Sequence, residues 1–256
     1  MTIAAERGYL IPAIDTDSVD YLSCARRLAQ SIRQWHPDAN IAVISIKQCS
    51  DPVFDHVIAL PYGNLGGYAN DWQCFRASPY RQTIKLEADM IATSSIDHWW
   101  TLFERRDVVI SQGCRDFYDH PGQSRVYRQI FDCNNLPDVY NAITYWRRSE
   151  TARDFFDLVR NIFSNWDRYK TLLRFPDDKA TTDVVYAMAA VIMGVENVTL
   201  PVGLGPTIVH MKQHMIRTIT EDWTNELVWE LDPVRIMTVA QWGLVHYHIK
   251  DWATHD

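Results

Sequence analysis

The first third of the chain alternates short continuous apolar runs with an amphipathic one. Gly8-Tyr9-Leu10-Ile11-Pro12-Ala13-Ile14 is apolar and ends in Asp15-Thr16-Asp17-Ser18, whose polar side chains suit a turn or a helix N-cap. Tyr21, Leu22, Cys24, Ala25, Leu28, Ala29 and Ile32 then recur at helical spacing, while Arg26, Arg27, Gln30 and Arg33 fall elsewhere on the wheel. His36-Pro37-Asp38-Ala39-Asn40 stops that helix. Ile41–Ile46 is an unbroken apolar strand of the kind buried on both faces of a parallel sheet. His56–Pro61 is a third, shorter strand. Strand, helix and strand in this order make a βαβ unit with a right-handed crossover.

A Gly-rich loop (Tyr62–Ala69) leads to a short helix around Asp71–Ala77. Gln82–Leu86 is a fourth strand that runs straight into Glu87-Ala88-Asp89-Met90-Ile91. Ile96–Phe103 reads as a helix and Val108–Ser111 as a fifth strand. Gly113 to Asp138 is polar and aromatic with few periodic apolar positions, which predicts a long functional loop. Val139–Trp146 is strand-like, Ser149 caps a helix through about Trp166, and Thr181-Thr182-Asp183 caps another through about Met193. The tail returns to strands near Val198–Leu200, Thr207–Met211 and Gly243–Ile249. No Pro/Ser linker, repeat or low-complexity tract divides the chain, so a single α/β domain over residues 1–256 is expected.

Composition narrows this picture. With 47% hydrophobic and 22% charged residues the chain is of globular type, not disordered, collagen-like or coiled coil. Lys+Arg 25 against Asp+Glu 32 gives −7, which argues against a surface gripping nucleic acid as a whole but leaves room for a local basic patch. Ten Trp and twelve Tyr supply rings that can stack on sugar or nucleotide faces, and that also make good core. The five cysteines form no C-x-x-C pair and match neither a zinc site nor a disulfide framework, which predicts free thiols in a reducing cytoplasm. The most apolar stretch, Val184–Val195, falls short of the ~20 residues of a membrane span.

Three features carry candidate chemistry. Glu87 and Asp89 end a buried strand two residues apart, so both project to one face at the carboxyl edge of the sheet, where open α/β folds bind ligands. Like charges so close want a cation between them, and Mg²⁺ or Mn²⁺ bridging phosphate oxygens meets that need. A solvated strand-end turn accounts for the same pair without function. Val245-His246-Tyr247-His248-Ile249-Lys250-Asp251-Trp252 places two histidines on one face, and imidazole suits Mn²⁺ better than Mg²⁺. Lys250 is a compact charge for a departing diphosphate, while one buried, hydrogen-bonded histidine beside a surface one accounts for the same pattern without function. A similar cluster, His210-Met211-Lys212-Gln213-His214, competes with it for the metal. Asp183 opens a helix, where it serves either as a cap or as a ligand for a hydroxylated substrate, and Asn141 is a polar amide in an apolar strand.

Taken together and in this order, these segments resemble the metal-dependent glycosyltransferases of the GT-A fold, in particular the glycogenin-like retaining group. The opening strand, the Tyr21–Trp35 helix and His36–Val43 look like the family's first nucleotide-binding βαβ unit. Ser78–Ile91 followed by Ser95–Trp99 is similar to the strand bearing the D-x-D motif and its following helix. Tyr140-Asn141-Ala142-Ile143 stands where the family has an Asn-Ser-Gly strand, and His246–Trp252 looks like the C-terminal His…Lys-Pro-Trp segment. The chain departs from the pattern at Glu87 (Asp in the motif), at Ala142-Ile143 (Ser-Gly) and before Trp252 (no Pro).

The resemblance implies an α/β, Rossmann-like sheet flanked by helices, with the nucleotide sugar bound by about 1–110 and the acceptor by about 111–256. It implies Asp89 and His246 as metal ligands and Glu87 as a metal or ribose contact, with Mn²⁺ or Mg²⁺ as cofactor. Lys250 becomes a diphosphate ligand, Asn141 and Asp183 catalytic or sugar-binding groups, and Tyr9, Pro12 and Ala13 the holders of the base. Lys85, His248 and Trp252 complete the substrate-binding set. The implied activity moves a sugar from a nucleotide-sugar donor to a hydroxyl of a glycan, a protein or a hydroxylated DNA base. Arg115, Arg125, Arg128, Arg147, Arg148, Arg153 and Arg160 could follow a polyanion, or simply form a solvated face. Two alternatives stand beside it: a sugar-nucleotide nucleotidyltransferase, disfavoured by the lack of a basic Gly-rich loop after the first strand, and a non-catalytic carbohydrate- or nucleic-acid-binding module.

Overall fold

β1 (Ala5–Ala13), α1 (Tyr21–Trp35) and β2 (Ile41–Ser45) form the βαβ unit that the apolar pattern predicts. The structure is a computed structural model that describes residues 3–114, 128–175, 178–201, 204–205, 208–210, 217–218, 228–232, 235–238, 243–247 and 250. Asp20 caps α1 by accepting the Ser23 N–H at 3.1 Å, and the predicted stripe from Leu22 to Ile32 is its buried face.

β3 (His56–Ile58), α2 (Gln73–Ala77), β4 (Tyr80–Leu86), β5 (Met90–Ala92), α3 (His98–Phe103), β6 (Val108–Gln112) and β7 (Val139–Arg147) follow, with α4 (Arg128–Cys133) ahead of β7. The main sheet has the order β3-β2-β1-β4-β7-β6 and is parallel except for β7, which runs antiparallel between β4 and β6. Alternation along the strands splits the core into two layers. Tyr9, Ile11, Ile84 and Leu86 face α1 and α3. Leu10, Ala42 and Ile44 face α2, α5 (Glu150–Ser164) and α7 (Thr182–Met193).

Two sequence expectations are corrected, while the helix expected through about Trp166 ends at Ser164, where Asn165 at φ −118° starts α6 (Trp166–Leu173). Trp166 turns instead onto Phe175, with ring centroids 5.3 Å apart. The expected long loop from Gly113 to Asp138 contains α4, whose Phe131 is buried. The expected strand near Val198–Leu200 begins as α8 (Val195–Val198), entered through Gly194 at φ +86°. The Thr199 hydroxyl donates to the Val195 carbonyl at 2.7 Å and closes that turn, so the β-branched residues serve one helical turn that buries Val198.

The tail supplies β8 (Ile208–His210), β9 (Arg217–Thr218), β10 (Val228–Asp232), β11 (Arg235–Thr238) and β12 (Leu244–His246). β9–β11 form a small antiparallel sheet that no sequence signal announced. β12 lies between β5 and β8, antiparallel to the first and parallel to the second. All five cysteines are free thiols. Among the described residues no helix is long and apolar enough to cross a membrane.

Candidate functional site

The site is built where the chain leaves the main sheet. β4 ends at Leu86, Glu87-Ala88-Asp89 is the link, and β5 pairs with β12 in the register Met90↔His246. The Tyr247 N–H donates to the Asp89 carbonyl at 3.1 Å and extends that pairing. This crossing brings the predicted acids and the predicted histidine together. His246 Nε2 lies 3.1 Å from Asp89 Oδ2 and 3.5 Å from Glu87 Oε2. Ligand atoms of Glu87, Asp89 and His246 all fall within 4.8 Å of one another. His246 and Asp89 are buried and Glu87 is half-buried, so the cluster is closed behind and open at Glu87. Two carboxylates and one imidazole are a donor set that fits a divalent cation, with the nitrogen favouring Mn²⁺.

Lys250 approaches from the other side. Its Nζ lies 2.7 Å from Asp89 Oδ2, donates to the Tyr21 hydroxyl at 2.9 Å and sits 4.6 Å from that ring's centre. Burial pushes the Asp89 carboxyl up, but His246 and Lys250 outweigh it and hold the group below the usual carboxylate range. Burial pulls the Lys250 ammonium down, and Asp89 together with the Tyr21 hydroxyl more than reverses that. Both groups are therefore charged across the neutral range. On its second nitrogen His246 shares a buried hydrogen bond with the Tyr140 hydroxyl from β7.

A cavity of about 460 Å³ opens beside this cluster, reaching from Pro12 and Asp15 at the end of β1 to Thr182 at the start of α7. The same cavity holds a second charged group. Lys85, on β4 with side-chain exposure of 1%, places Nζ 2.6 Å from Asp71 Oδ2. The other Asp71 oxygen accepts from the Tyr186 hydroxyl and lies 3.5 Å from Asn141 Nδ2. Asn141 is in turn fixed by its N–H on Asp183 Oδ1 at 2.8 Å and by the Thr144 hydroxyl at 2.5 Å. Burial pulls the Lys85 ammonium down, and Asp71 together with Cys74 and Glu87 more than reverses that, leaving it raised.

Of the remaining sequence candidates, Pro12 lines the cavity while Tyr9 and Ala13 lie in the core. The Tyr9 hydroxyl accepts from Trp100 Nε1 at 3.3 Å, and burial raises its pKa far above the ordinary value. His248, Trp252, Arg115 and Arg125 lie outside the described residues, as do the side chains of Arg128 and His210. The His210 backbone is opposite His246 but on β8, one strand further from β5. Arg147 pairs with Asp107, Arg148 donates to the Ser78 and Tyr80 carbonyls, Arg153 pairs with Asp154, and Arg160 lies over Trp72.

Asp71, Tyr140, Tyr186 and Tyr21 are site residues that the sequence reading missed. Asp71 alone had a readable signal: a lysine inside a buried strand requires a carboxylate partner, and an acid beside a Gly-rich loop was available. The tyrosines were hidden among twelve.

No family model matches the sequence, and no curated protein matches it. Solved structures do match. The galactosyltransferase LgtC in complex with donor and acceptor sugar analogs superposes with a TM-score of 0.52 at 12% identity, covering 94% of this chain and 86% of that one. An active-site mutant of LgtC gives 0.51 at the same identity and coverage. The chain has the GT-A glycosyltransferase fold.

Proposed function

We propose that this chain transfers a sugar from a nucleotide-sugar donor to a hydroxyl acceptor, with Mn²⁺ or Mg²⁺ held by Asp89, His246 and Glu87. The observation that carries the reading is the meeting of these three side chains and Lys250 at one rim of the 460 Å³ cavity, within a GT-A fold. Asp89, His246 and Glu87 would hold the divalent ion, which would supply positive charge for a departing diphosphate. Lys250 adds a second cation, kept charged by Asp89 and aimed by Tyr21. The end of β1 at Pro12 faces the same cavity and takes the nucleoside. Asn141 and Asp183, hydrogen-bonded to each other, lie buried behind the cavity wall, where Asn141 Nδ2 backs Asp71.

Retention of anomeric configuration belongs to the proposal through the resemblance to the glycogenin-like group, and the anomer of the product reads it. The acceptor is a hydroxyl on a glycan, a protein or a hydroxylated DNA base, and a steep salt dependence of acceptor binding separates DNA from the other two. The five free thiols support a reducing compartment such as the cytoplasm.

The test is a thermal-shift screen of nucleoside diphosphates and nucleotide sugars with and without Mn²⁺, followed by donor hydrolysis. The expected result is Mn²⁺-dependent stabilisation by one nucleoside diphosphate, lost in Asp89→Asn. If no nucleoside diphosphate binds with Mn²⁺, the reading is wrong.

A further inference from the structure

Lys85 is the one strand position between Ile84 and Leu86 where an apolar side chain would be expected, and it is a fully buried cation. A buried ion pair is seldom better for stability than apolar residues of the same size, so stability alone gives no reason for it. Its geometry does. Lys85 holds one Asp71 oxygen, and Tyr186 and Asn141 approach the other. Three donors from β4, α7 and β7 thus aim a single carboxylate. Asp71 remains 14% exposed on its side chain, and that open edge faces the same cavity as Glu87 and Asp89.

We infer that Asp71 is a specificity-determining residue that accepts hydrogen bonds from hydroxyls of the transferred sugar, with Lys85 as the residue that positions it, and that the donor sugar is a neutral one. This rests on the glycosyltransferase reading of the cavity. A carboxylate with its own buried counter-ion offers acceptor lone pairs and no spare positive charge. It suits a hydroxyl, which donates, and repels a phosphate or the carboxylate of a uronate, whose anionic oxygens only accept. The cavity is therefore divided: Lys250 and the Glu87–Asp89–His246 cluster serve the charged diphosphate, and the Asp71–Lys85 pair serves the uncharged ring. A site built around a buried, hydrogen-bonding carboxylate also discriminates strongly against a sugar that lacks the matching hydroxyl.

The experiment compares, in Mn²⁺, the affinity of the nucleoside diphosphate with that of its neutral hexose, deoxyhexose and uronate conjugates. Wild type, Asp71→Asn and the double variant D71N/K85M are titrated, the last removing both charges so that no lysine is left buried alone. In wild type the neutral conjugate is expected to bind at least about 10-fold tighter than the uronate. Asp71→Asn and the double variant are expected to keep nucleoside diphosphate affinity within about 2-fold while losing most of the increment due to the sugar. The inference is overturned if wild type prefers the uronate, if the variants keep the sugar increment, or if they weaken diphosphate and conjugate by the same factor. Failure of wild type to bind any nucleoside diphosphate would instead remove the glycosyltransferase reading itself, and this inference with it.

Discussion

The Tyr140 hydroxyl and His246 Nδ1 are hydrogen-bonded to each other in the buried space between the main sheet and β12. With Nδ1 engaged there, the ring presents Nε2 to Asp89 and Glu87. A histidine that binds a metal through Nε2 donates its Nδ1–H to a neighbour, and the Tyr140 oxygen is that neighbour. Tyr140→Phe removes the acceptor while keeping the ring. The expected outcome is a 10- to 100-fold loss of Mn²⁺ affinity by calorimetry, with the fold retained by circular dichroism.

Lys250 Nζ contacts Asp89 Oδ2 at 2.7 Å and stands between that carboxylate and the Tyr21 ring. Lys250→Met keeps the length of the stem and removes the charge. Nucleoside diphosphate affinity in Mn²⁺ is expected to fall by 10-fold or more, about 1.4 kcal/mol, and its salt dependence to weaken. Equal affinities for wild type and variant would deny Lys250 a role at the diphosphate.

Gly8 is required for a different reason. A Cβ built on it would meet the buried Tyr80 ring at 2.3 Å, because β1 and β4 are paired there with Gly8 opposite Thr83. Gly8→Ala should destabilise the protein by about 1–3 kcal/mol in urea denaturation. Adding Tyr80→Leu should recover part of that loss, which separates a clash from a simple change in strand propensity.

Stability should also fall on acidification. Burial raises the carboxyls of Asp20, Asp51 and Asp107, but hydrogen bonds from Ser23, from Val53 and Arg26, and from Arg147 with Ser149 and Thr151 respectively outweigh it, leaving all three lowered. A folded-state pKa below the unfolded value of about 3.9 contributes stability that is complete above that value and is lost as pH falls through the folded one. Tm is therefore expected to decline slightly as pH falls through about 6.5, where burial keeps the folded His36 ring from protonating as readily as the unfolded one, and then to drop steeply below about 5. Asp107→Asn should lower the neutral-pH plateau and flatten the acid limb.

The sequence by itself determined the local elements and the residue types at the sheet edge. The β1–α1–β2 unit, with α1 bounded at Tyr21 and Trp35, and the α7 start at Thr182 follow from periodicity and caps that lie within a few residues of one another. Glu87 and Asp89 were readable for the same reason, as a polar pair ending a buried strand. Tertiary structure decided what those residues meet. His246 and His210 look alike in sequence, and only the strand order β5-β12-β8 puts His246 beside Asp89 and His210 one strand away. Asp71 joins Lys85, Tyr186 and Asn141 only because β4, β7 and α7 converge on one wall of the cavity. The periodicity of a segment is set by its own residues. The register between strands is set by burial and hydrogen bonding over the whole sheet, and the chemistry of this site depends on that register.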